Sequence, residues 1–358
     1  MQKIFVVFFL LWNIYFTHWR RLAILLVDLG LKAMLQVQPN FGRNEMKKTL
    51  TAVLTAATLA ASMGTVAYAE GERFVLISHA PDSDSWWNTI KNAINVAADQ
   101  MDVTVEYRNP PTGDLADMAR IVEQAIASNP DGIILTIADF DVLSGPVADA
   151  VDQGIPVITI NSGTHAQSEA LGALMHVGQP EYDAGFGAGK RAAAAGVSSF
   201  LCVNHYITNP ASVERCQGFA DAIGADVASS MIDSGQDPAE IKNKVIAFLA
   251  ANPDTGAVLT LGPTSAHPTL AALDAESLAG ELFFATFDLS DEIADAIKAD
   301  IIAFAIDQQP YLQGYMPVII LTNLVRYGVL PSGHMNSGPG YITKDSISFV
   351  EEFAGVYR

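Results

Sequence analysis

Residues 103–136 read VTVEYRNPPTGDLADMARIVEQAIASNPDGIILT. A run rich in β-branched residues opens this segment, and a second, continuously apolar run closes it, which is typical of strands buried in a parallel sheet. Between the two runs, apolar side chains recur at the spacing of one helix face, namely Met118, Ile121, Val122, Ala125 and Ile126. The segment therefore predicts one β-α-β unit.

The same alternation of short apolar runs and helical patterns continues along the chain. Predicted strands begin at residues 74, 103, 132 and 156 and, after a gap near 172–187, at residues 200, 227, 257, 282 and 301. Repeated β-α units predict doubly wound parallel sheets, and the gap divides them into two similar α/β lobes. Gly185, Gly187 and Gly189 lie within a helical pattern, where we expect them to permit close helix packing.

The first 69 residues are treated separately from the fold. At Met46 the sequence restarts with Lys47-Lys48, an apolar segment and Ala67-Tyr68-Ala69, which predicts a signal peptide over 46–69, cleaved after Ala69, and export from the cytoplasm. We interpret residues 1–45 as an over-extended start. A membrane anchor is the alternative, although the apolar runs there are shorter than the ~20 residues that a transmembrane helix needs.

Composition excludes several classes of protein. The chain has 358 residues, 39 acidic and 20 basic side chains, and a net charge of −19. Residues 1–69 carry seven of the basic and two of the acidic side chains, so 13 basic and 37 acidic side chains follow them, a net charge of −24. Such an acidic chain is unsuited to binding nucleic acid. A hydrophobic content of 50% excludes a mainly disordered protein.

Polar side chains cluster where the predicted strands end. In open α/β sheets, ligands bind beyond the carboxyl ends of the strands. The residues that we expect at a ligand on this basis are His79, Asp84, Asp139, Asn161, Ser162, His205 and Asp288. Amides and carboxylates suit hydroxyl groups, and few cations accompany them, so the pattern favours a neutral polyhydroxylated ligand.

Two adjacent tryptophans, Trp86 and Trp87, follow the first predicted strand, just after a helix cap at Asp84 or Ser85. Both indoles could simply pack in the core. Adjacent helix positions point ~100° apart, however, so one ring can face the core while the other faces the ligand. An indole face also suits the C–H groups of a sugar, and we expect at least one ring to contact ligand.

Arg215 and Asn209 lie near the start of a helix that follows the strand at 200–203. An arginine fork can hold two vicinal hydroxyl groups, and a surface salt bridge is the plainer alternative. Asp288 can accept hydrogen bonds from two hydroxyls or cap the helix that follows it. Gln308 ends another strand, where it is a ligand contact, a hinge residue or part of a simple turn.

Cys202 and Cys216 are the two cysteines of the chain and stand fourteen positions apart. In an oxidising compartment such a pair favours a disulfide, with two buried thiols as the alternative.

Catalytic and metal-binding motifs are absent from the sequence. It contains no GxSxG nucleophile elbow, no phosphate-binding P-loop, and no CxxC, HExxH or EF-hand pattern. We therefore expect a binding protein rather than an enzyme, without metal or cofactor.

The order of these features resembles the type I periplasmic sugar-binding proteins of ABC importers, above all the ribose- and galactose-binding branch. The resemblance rests on the signal peptide, the two lobes, Trp86-Trp87 and the strand-end Asp288, and it covers nearly all of residues 70–358. It implies a periplasmic binding protein-like I fold, in which two Rossmann-like lobes with parallel sheets are joined by a three-segment hinge. The implied lobes are 70–175 plus 309–330 and 176–308 plus 331–358.

By this similarity, Trp86 and Trp87 match the aromatic residues beside the sugar, and Arg215, Asp288 and Gln308 match second-lobe and hinge residues that bind it. Asn161-Ser162 replaces an Asp-Arg pair, Gly262-Pro263 replaces Asn-Asp, and the galactose-type calcium loop is absent.

The resemblance implies a monomer that closes on a monosaccharide or polyol and delivers it to a permease in the inner membrane. The alternative is a binding protein of the same fold that presents its ligand to a chemoreceptor or sensor kinase.

Overall fold

The structure, a computed structural model, describes residues 71–358, so the predicted signal peptide and N-terminal extension lie outside the described residues. Its strands are β1 (Arg73–Ile77), β2 (Thr104–Arg108), β3 (Gly132–Leu135), β4 (Val157–Ile160), β5 (Met175–Gly178), β6 (Phe200–Asn204), β7 (Met231–Asp233), β8 (Ala257–Thr260), β9 (Phe283–Phe287), β10 (Phe304–Asp307), β11 (Met335–Asn336) and β12 (Gly340–Ile342). They form two six-stranded sheets, in the orders β11-β5-β4-β3-β1-β2 and β12-β10-β9-β8-β6-β7.

The helices that connect these strands are α1 (Trp87–Met101), α2 (Leu115–Ala127), α3 (Phe140–Asp152), α4 (His165–Ala170), α5 (Glu181–Ala194), α6 (Pro210–Ile223), α7 (Val227–Ser230), α8 (Pro238–Ala251), α9 (Pro263–Ala275), α10 (Asp291–Lys298) and α11 (Pro310–Tyr327). Two short 3₁₀ helices follow at Ile347–Phe349 and Glu351–Phe353. Each sheet carries an apolar cluster on both faces. The two-lobe α/β architecture predicted from the sequence is therefore confirmed.

Local structure departs from the predicted strands at three places. The run at 227–232 begins as the short helix α7, because Asp226 accepts a hydrogen bond from the backbone N–H of Ala228, and only β7 of that run is extended. Strand β5 lies in what the sequence pattern left as a gap. Strands β11 and β12 follow the last predicted strand, and β12 pairs antiparallel with β10, whereas the other pairings within residues 71–358 are parallel.

The chain crosses between the lobes three times. The first crossing follows β5, the second lies between β10 and α11, and the third lies between β11 and β12. Strand pairing therefore moves two of the predicted lobe boundaries. The boundary expected after residue 175 falls inside β5, and residues 331–336 stay with the first sheet because β11 pairs with β5.

Two features hold α6 in the second lobe. At Gly185 of α5, an added Cβ would lie 2.1 Å from the backbone oxygen of Arg215, so only glycine permits this close approach of α5 to α6. Cys202 in β6 and Cys216 in α6 form the expected disulfide, and both are fully buried. Helix α6 is thereby tied to one helix and to the sheet beneath it.

Candidate functional site

A cavity lies between the carboxyl ends of the two sheets and has a volume of about 60 Å³. That volume is several times the roughly 10–15 Å³ that one water needs. The first lobe contributes His79, Asp84, Trp86, Trp87, Asn161 and Ser162, and the remaining lining comes from the second lobe and from Gln308. Every ligand residue predicted from the sequence lines this cavity except Asp139.

Asp139 is the exception because its carboxylate has another task. It caps α3 by accepting a hydrogen bond from the backbone N–H of Val142 at 3.1 Å. The structure therefore does not bring Asp139 to the cavity, and its position at a strand end reflects helix capping.

The tryptophan pair forms the first-lobe wall of the cavity. Trp87 is 3% exposed and packs in the first-lobe core, while Trp86 is partly buried beside it with ring centres 5.1 Å apart. Both rings line the cavity, so the core and ligand alternatives are not exclusive. The indole Nε1 of Trp86 is buried without a hydrogen-bond partner among residues 71–358. It faces Asp288 of the second lobe closely enough to lower the pKa of that carboxyl group, without a well-formed hydrogen bond, so a ligand hydroxyl can accept from it.

Two ionisable groups of the first lobe also line the cavity. His79 is hydrogen-bonded through Nδ1 to Thr136 at 2.9 Å, and burial lowers its pKa to about 3, so its ring is neutral. Burial raises the pKa of Asp84 to about 6, although its carboxylate accepts a hydrogen bond from the backbone N–H of Trp86. The first lobe thus offers a carboxyl group that titrates near neutral pH.

Arg215 is buried in the second-lobe wall, and its fork is already occupied. Its Nε and Nη2 donate to the two carboxylate oxygens of Glu181 at 2.7 and 2.8 Å. Its Nη1 donates to the backbone oxygen of Leu261 at 3.0 Å, and the guanidinium stacks on Phe287. We expected Arg215 to bind two ligand hydroxyls with a pair of its N–H groups. In the structure the Nε–Nη2 pair is bound to the buried carboxylate of Glu181 instead.

Asp288 follows β9 and has one free acceptor. Its Oδ2 accepts a hydrogen bond from Gln308 Nε2 at 2.9 Å, while its Oδ1 is buried without a partner among the described residues. Ser290, not Asp288, caps α10, so the capping alternative falls away. Burial raises the pKa of Asp288 to about 7, and the charge of Arg215 together with Gln308 and the nearby indole of Trp86 only partly offsets that effect.

His205 and Asn209 complete the predicted second-lobe set. Burial lowers the pKa of His205 to about 4, with a further contribution from the charge of Arg215, and its Nδ1 has no partner within residues 71–358. Asn209 caps α6 through its Oδ1, and its Nδ2 donates to Ser162 in the first lobe at 2.8 Å. Asn209 therefore joins the two lobes across the cavity.

Gln308 lies at the second crossing and contacts both lobes. Its Oε1 accepts hydrogen bonds from Asn161 and Gln313, each at 3.1 Å, and its Nε2 donates to Asp288. Its backbone oxygen accepts a hydrogen bond from Ser337 beside the third crossing. The hinge interpretation of Gln308 describes this geometry, and Gln308 lines the cavity as well.

Several further residues line the cavity without having been predicted as ligand contacts, among them Tyr206, Ser212 and Thr264. Ser212 stands three positions before Arg215 on α6 and so shares its face, a spacing that could have revealed it. Thr264 follows the strand-end pair Gly262-Pro263. The role of Glu181 could not be predicted from the sequence, because no local pattern indicates that its partner Arg215 lies on another helix.

The site presents donors and acceptors on two opposed walls and an aromatic pair on one of them. Among residues 71–358, no group of three or more His, Cys, Asp or Glu side chains could hold a metal ion, and no helix is long and apolar enough to span a membrane. Mixed donors and acceptors beside indole rings are suited to hydroxyl groups on a ring.

Comparison with known proteins gives one consistent result. A family model described as a periplasmic binding protein domain matches residues 74–328. The xylose/arabinose-binding protein XylF of Sulfolobus acidocaldarius is 22% identical over 290 residues, which cover 77% of this chain and 72% of XylF. These proteins bind solutes for transport, which supports the expectation that the chain is not an enzyme.

Solved structures agree with this family match. A carbohydrate transporter from Acidothermus cellulolyticus 11B, in complex with myo-inositol, is 30% identical with a TM-score of 0.73, covering 80% of this chain and 98% of that one. A solute-binding protein from Burkholderia graminis C4D1M, in complex with D-arabinose, shares the fold at 19% identity and a TM-score of 0.71, covering 77% of this chain and 96% of that one.

Proposed function

The chain belongs to the periplasmic binding protein family, and on that premise we propose that it captures a cyclic polyol or monosaccharide between its lobes. The observation that carries this proposal is the set of three buried polar atoms without partners at the cavity, namely Trp86 Nε1, His205 Nδ1 and Asp288 Oδ1. Unpartnered buried polar groups are costly, and ligand hydroxyls can satisfy all three.

We propose myo-inositol and its cyclitol relatives as the first ligands to test. The Acidothermus protein, whose structure contains myo-inositol, aligns with 80% of this chain at 30% identity. A cyclitol carries hydroxyl groups all round its ring, so one hydroxyl can donate to Asp288 while another accepts from Trp86 Nε1. Pentoses and hexoses present a similar, slightly less symmetric set.

Closure of the lobes follows from where these groups lie. Trp86 belongs to the first lobe, whereas His205 and Asp288 belong to the second, so a ligand completes its hydrogen bonds only when the lobes are together. Ligand binding therefore favours the closed state, since only differential affinity for one state can shift the equilibrium. We propose that a permease of an ABC transporter recognises this closed form in the periplasm.

The test is a calorimetric titration and thermal-shift panel with myo-inositol, D-ribose, D-xylose, D-arabinose, D-galactose and D-glucose, and with amino acids as controls. Ligand at about 1,000 times its Kd should stabilise the protein by ~4 kcal/mol. A response to one polyol or sugar supports the proposal. A response to amino acids alone, or to none of these compounds, contradicts it.

A further inference from the structure

Glu181 is a buried carboxylate that lies behind Arg215 and does not itself line the cavity between the lobes. It is the first residue of α5, directly after the first crossing between the lobes, and it is 3% exposed. Both of its oxygens are bonded to Arg215, which lines the cavity and is 6% exposed. Resting on the proposed function above, we propose that Glu181 is a positioning residue that holds Arg215 in place for the ligand.

The close contact between two helices sets this geometry. Gly185 lies one turn after Glu181 on α5, and it is the point where the backbone of α6 at Arg215 approaches most closely. Side chains four apart lie on one helix face, so the contact at Gly185 brings Glu181 to the same face of α6. The ion pair is thus a consequence of the helix packing. Any side chain at Gly185 would push the two helices apart and separate Glu181 from Arg215.

Stability alone is a weak reason for such a pair. Burying two charges costs desolvation that their attraction only roughly offsets, and well-packed apolar side chains often serve the fold equally well. What the pair does achieve is a single orientation of the guanidinium. Glu181 holds one edge, the Leu261 carbonyl binds Nη1 and the ring of Phe287 lies 4.2 Å from the guanidinium carbon. Three of the five N–H donors of Arg215 are thereby bound within the protein.

The pair also protects the acceptor on Asp288. Arg215 and Asp288 both line the cavity, and the charge of Arg215 acts on the carboxyl group of Asp288. With its paired edge on Glu181, Arg215 leaves Asp288 Oδ1 without a partner among the described residues. If Glu181 lost its charge, we expect Arg215 to swing toward Asp288, and the two groups would then satisfy each other instead of a ligand.

Gln179 supports Glu181 from the hinge side. Its Nε2 donates to Glu181 Oε2 at 2.7 Å, and Gln179 lies in the first crossing itself. Glu181 therefore accepts hydrogen bonds from Gln179 in the hinge and from Arg215 in the cavity wall. Gln179 is thus a second position at which a substitution can disturb the orientation of Glu181.

The experiment compares the buried Glu181–Arg215 pair with a pair of the same hydrogen-bond geometry in which the glutamate is buried and the arginine is partly exposed. Glu72 pairs with Arg326 in the first lobe, with Nε and Nη2 each 2.7 Å from its oxygens, and neither residue lines the cavity. Glu181→Gln and Glu72→Gln are each titrated with the panel member that the wild-type protein binds most tightly. We expect Glu181→Gln to weaken binding at least tenfold and Glu72→Gln to stay within twofold, although both lower the melting temperature.

A double-mutant cycle separates positioning from general loosening. Arg215→Lys is measured alone and together with Glu181→Gln, and we expect the two losses of affinity to be far from additive, because Glu181 acts through Arg215. Wild-type affinity in folded Glu181→Gln, additive losses, or an equal loss in Glu72→Gln would each overturn the inference.

Two further outcomes keep the result interpretable. If Glu181→Gln does not fold, Gln179→Ala replaces it. We expect a several-fold loss of affinity, because Glu181 Oε2 loses the donor that fixes it beneath Arg215, while unchanged affinity counts against the inference. If the wild-type protein binds no member of the panel, the proposed function fails rather than the role of Glu181.

Discussion

The two lobes have the same strand order and place similar residues at matching strand ends. At one of these matching positions the first lobe has an amide and the second lobe has a carboxyl group. His79 follows β1 and His205 follows the matching strand β6, while Asn161 follows β4 and Asp288 follows the matching strand β9. Asn161 and Asp288 also share a left-handed backbone, with φ of 58° and 63°, which asparagine and aspartate adopt more readily than most residues.

The matching positions serve different ends. The amide of Asn161 donates to Gln308 and Gln313, so it stabilises the hinge. The carboxylate of Asp288 accepts from Gln308 with one oxygen and keeps the other free. One backbone position therefore supplies hinge structure in the first lobe and, as we propose, a ligand acceptor in the second. The difference teaches that strand-end geometry places a side chain, while its chemistry decides what that place does.

The largest expected effect comes from removing the disulfide. Both cysteines lie in the second lobe, so the disulfide stabilises that lobe and not the first. The disulfide closes a loop that carries His205, Tyr206, Asn209, Ser212 and Arg215, all of which line the cavity. Replacing both cysteines by serine should cost about 3 kcal/mol of unfolding free energy for a loop of this length, and ligand affinity should fall with it. Denaturant unfolding and calorimetry measure the two effects.

The control for this comparison is a reductant added during unfolding. It should lower the denaturant midpoint of the wild-type protein toward that of the double-serine variant and leave the variant unchanged. Equal midpoints for the oxidised wild-type protein and the variant would show that the disulfide contributes nothing to the second lobe.

The next largest effect is expected when the residues at the two matching positions, Asp288 and Asn161, are each replaced by the type found at the other. Asp288→Asn should weaken ligand binding by about 1.5–3 kcal/mol, the range for a hydrogen bond to a charged group. It should not lower the melting temperature of the ligand-free protein at pH 8, because it removes a buried carboxylate with an unpartnered oxygen. Thermal shift and calorimetry on the same samples provide both readings.

Asn161→Asp is the reciprocal control. It replaces an amide that donates to two glutamine oxygens by a carboxylate that cannot, so the melting temperature should fall by several degrees before ligand is added. If the two exchanges had the same effect on stability and on affinity, the division of labour between the lobes would be wrong.

The smallest effect is the dependence of affinity on pH. Asp288 has a pKa of about 7 in the empty site and faces Arg215, Gln308, Asp307 and Trp86. A hydroxyl donates best to the ionised carboxylate, so binding lowers this pKa, releases protons and weakens as the pH falls through 7. Affinity should drop about tenfold between pH 8 and pH 6, as one titrating group allows.

Titrations in buffers of different ionisation enthalpy detect the released proton. Asp288→Asn should flatten the profile above pH 6.5, while a remaining decline near pH 6 belongs to Asp84 of the first lobe, whose pKa is about 6. A profile that keeps its full slope in Asp288→Asn would assign the titration to another group.

Much of the site could be predicted from the chain itself. Eleven of the twelve ligand residues expected from the sequence line the cavity, because the carboxyl ends of parallel strands meet at one edge of a sheet. Asp139 does not line the cavity, because a carboxylate at a strand end can equally well cap the next helix, as this one does. The run at 227–232 failed because Asp226 starts a helical turn before the strand.

What the sequence determined by itself is periodic and local: the β-α alternation, the two-lobe division, and the polar residues at strand ends. Such features follow from side-chain spacing, which each segment carries within itself. Only the tertiary structure decided that Glu181 meets Arg215, that Gln308 joins Asn161 to Asp288, and that the third crossing follows β11. These side-chain contacts join positions 20 to 147 residues apart. They form because helix packing and the approach of the two lobes bring those positions together, which no local pattern encodes.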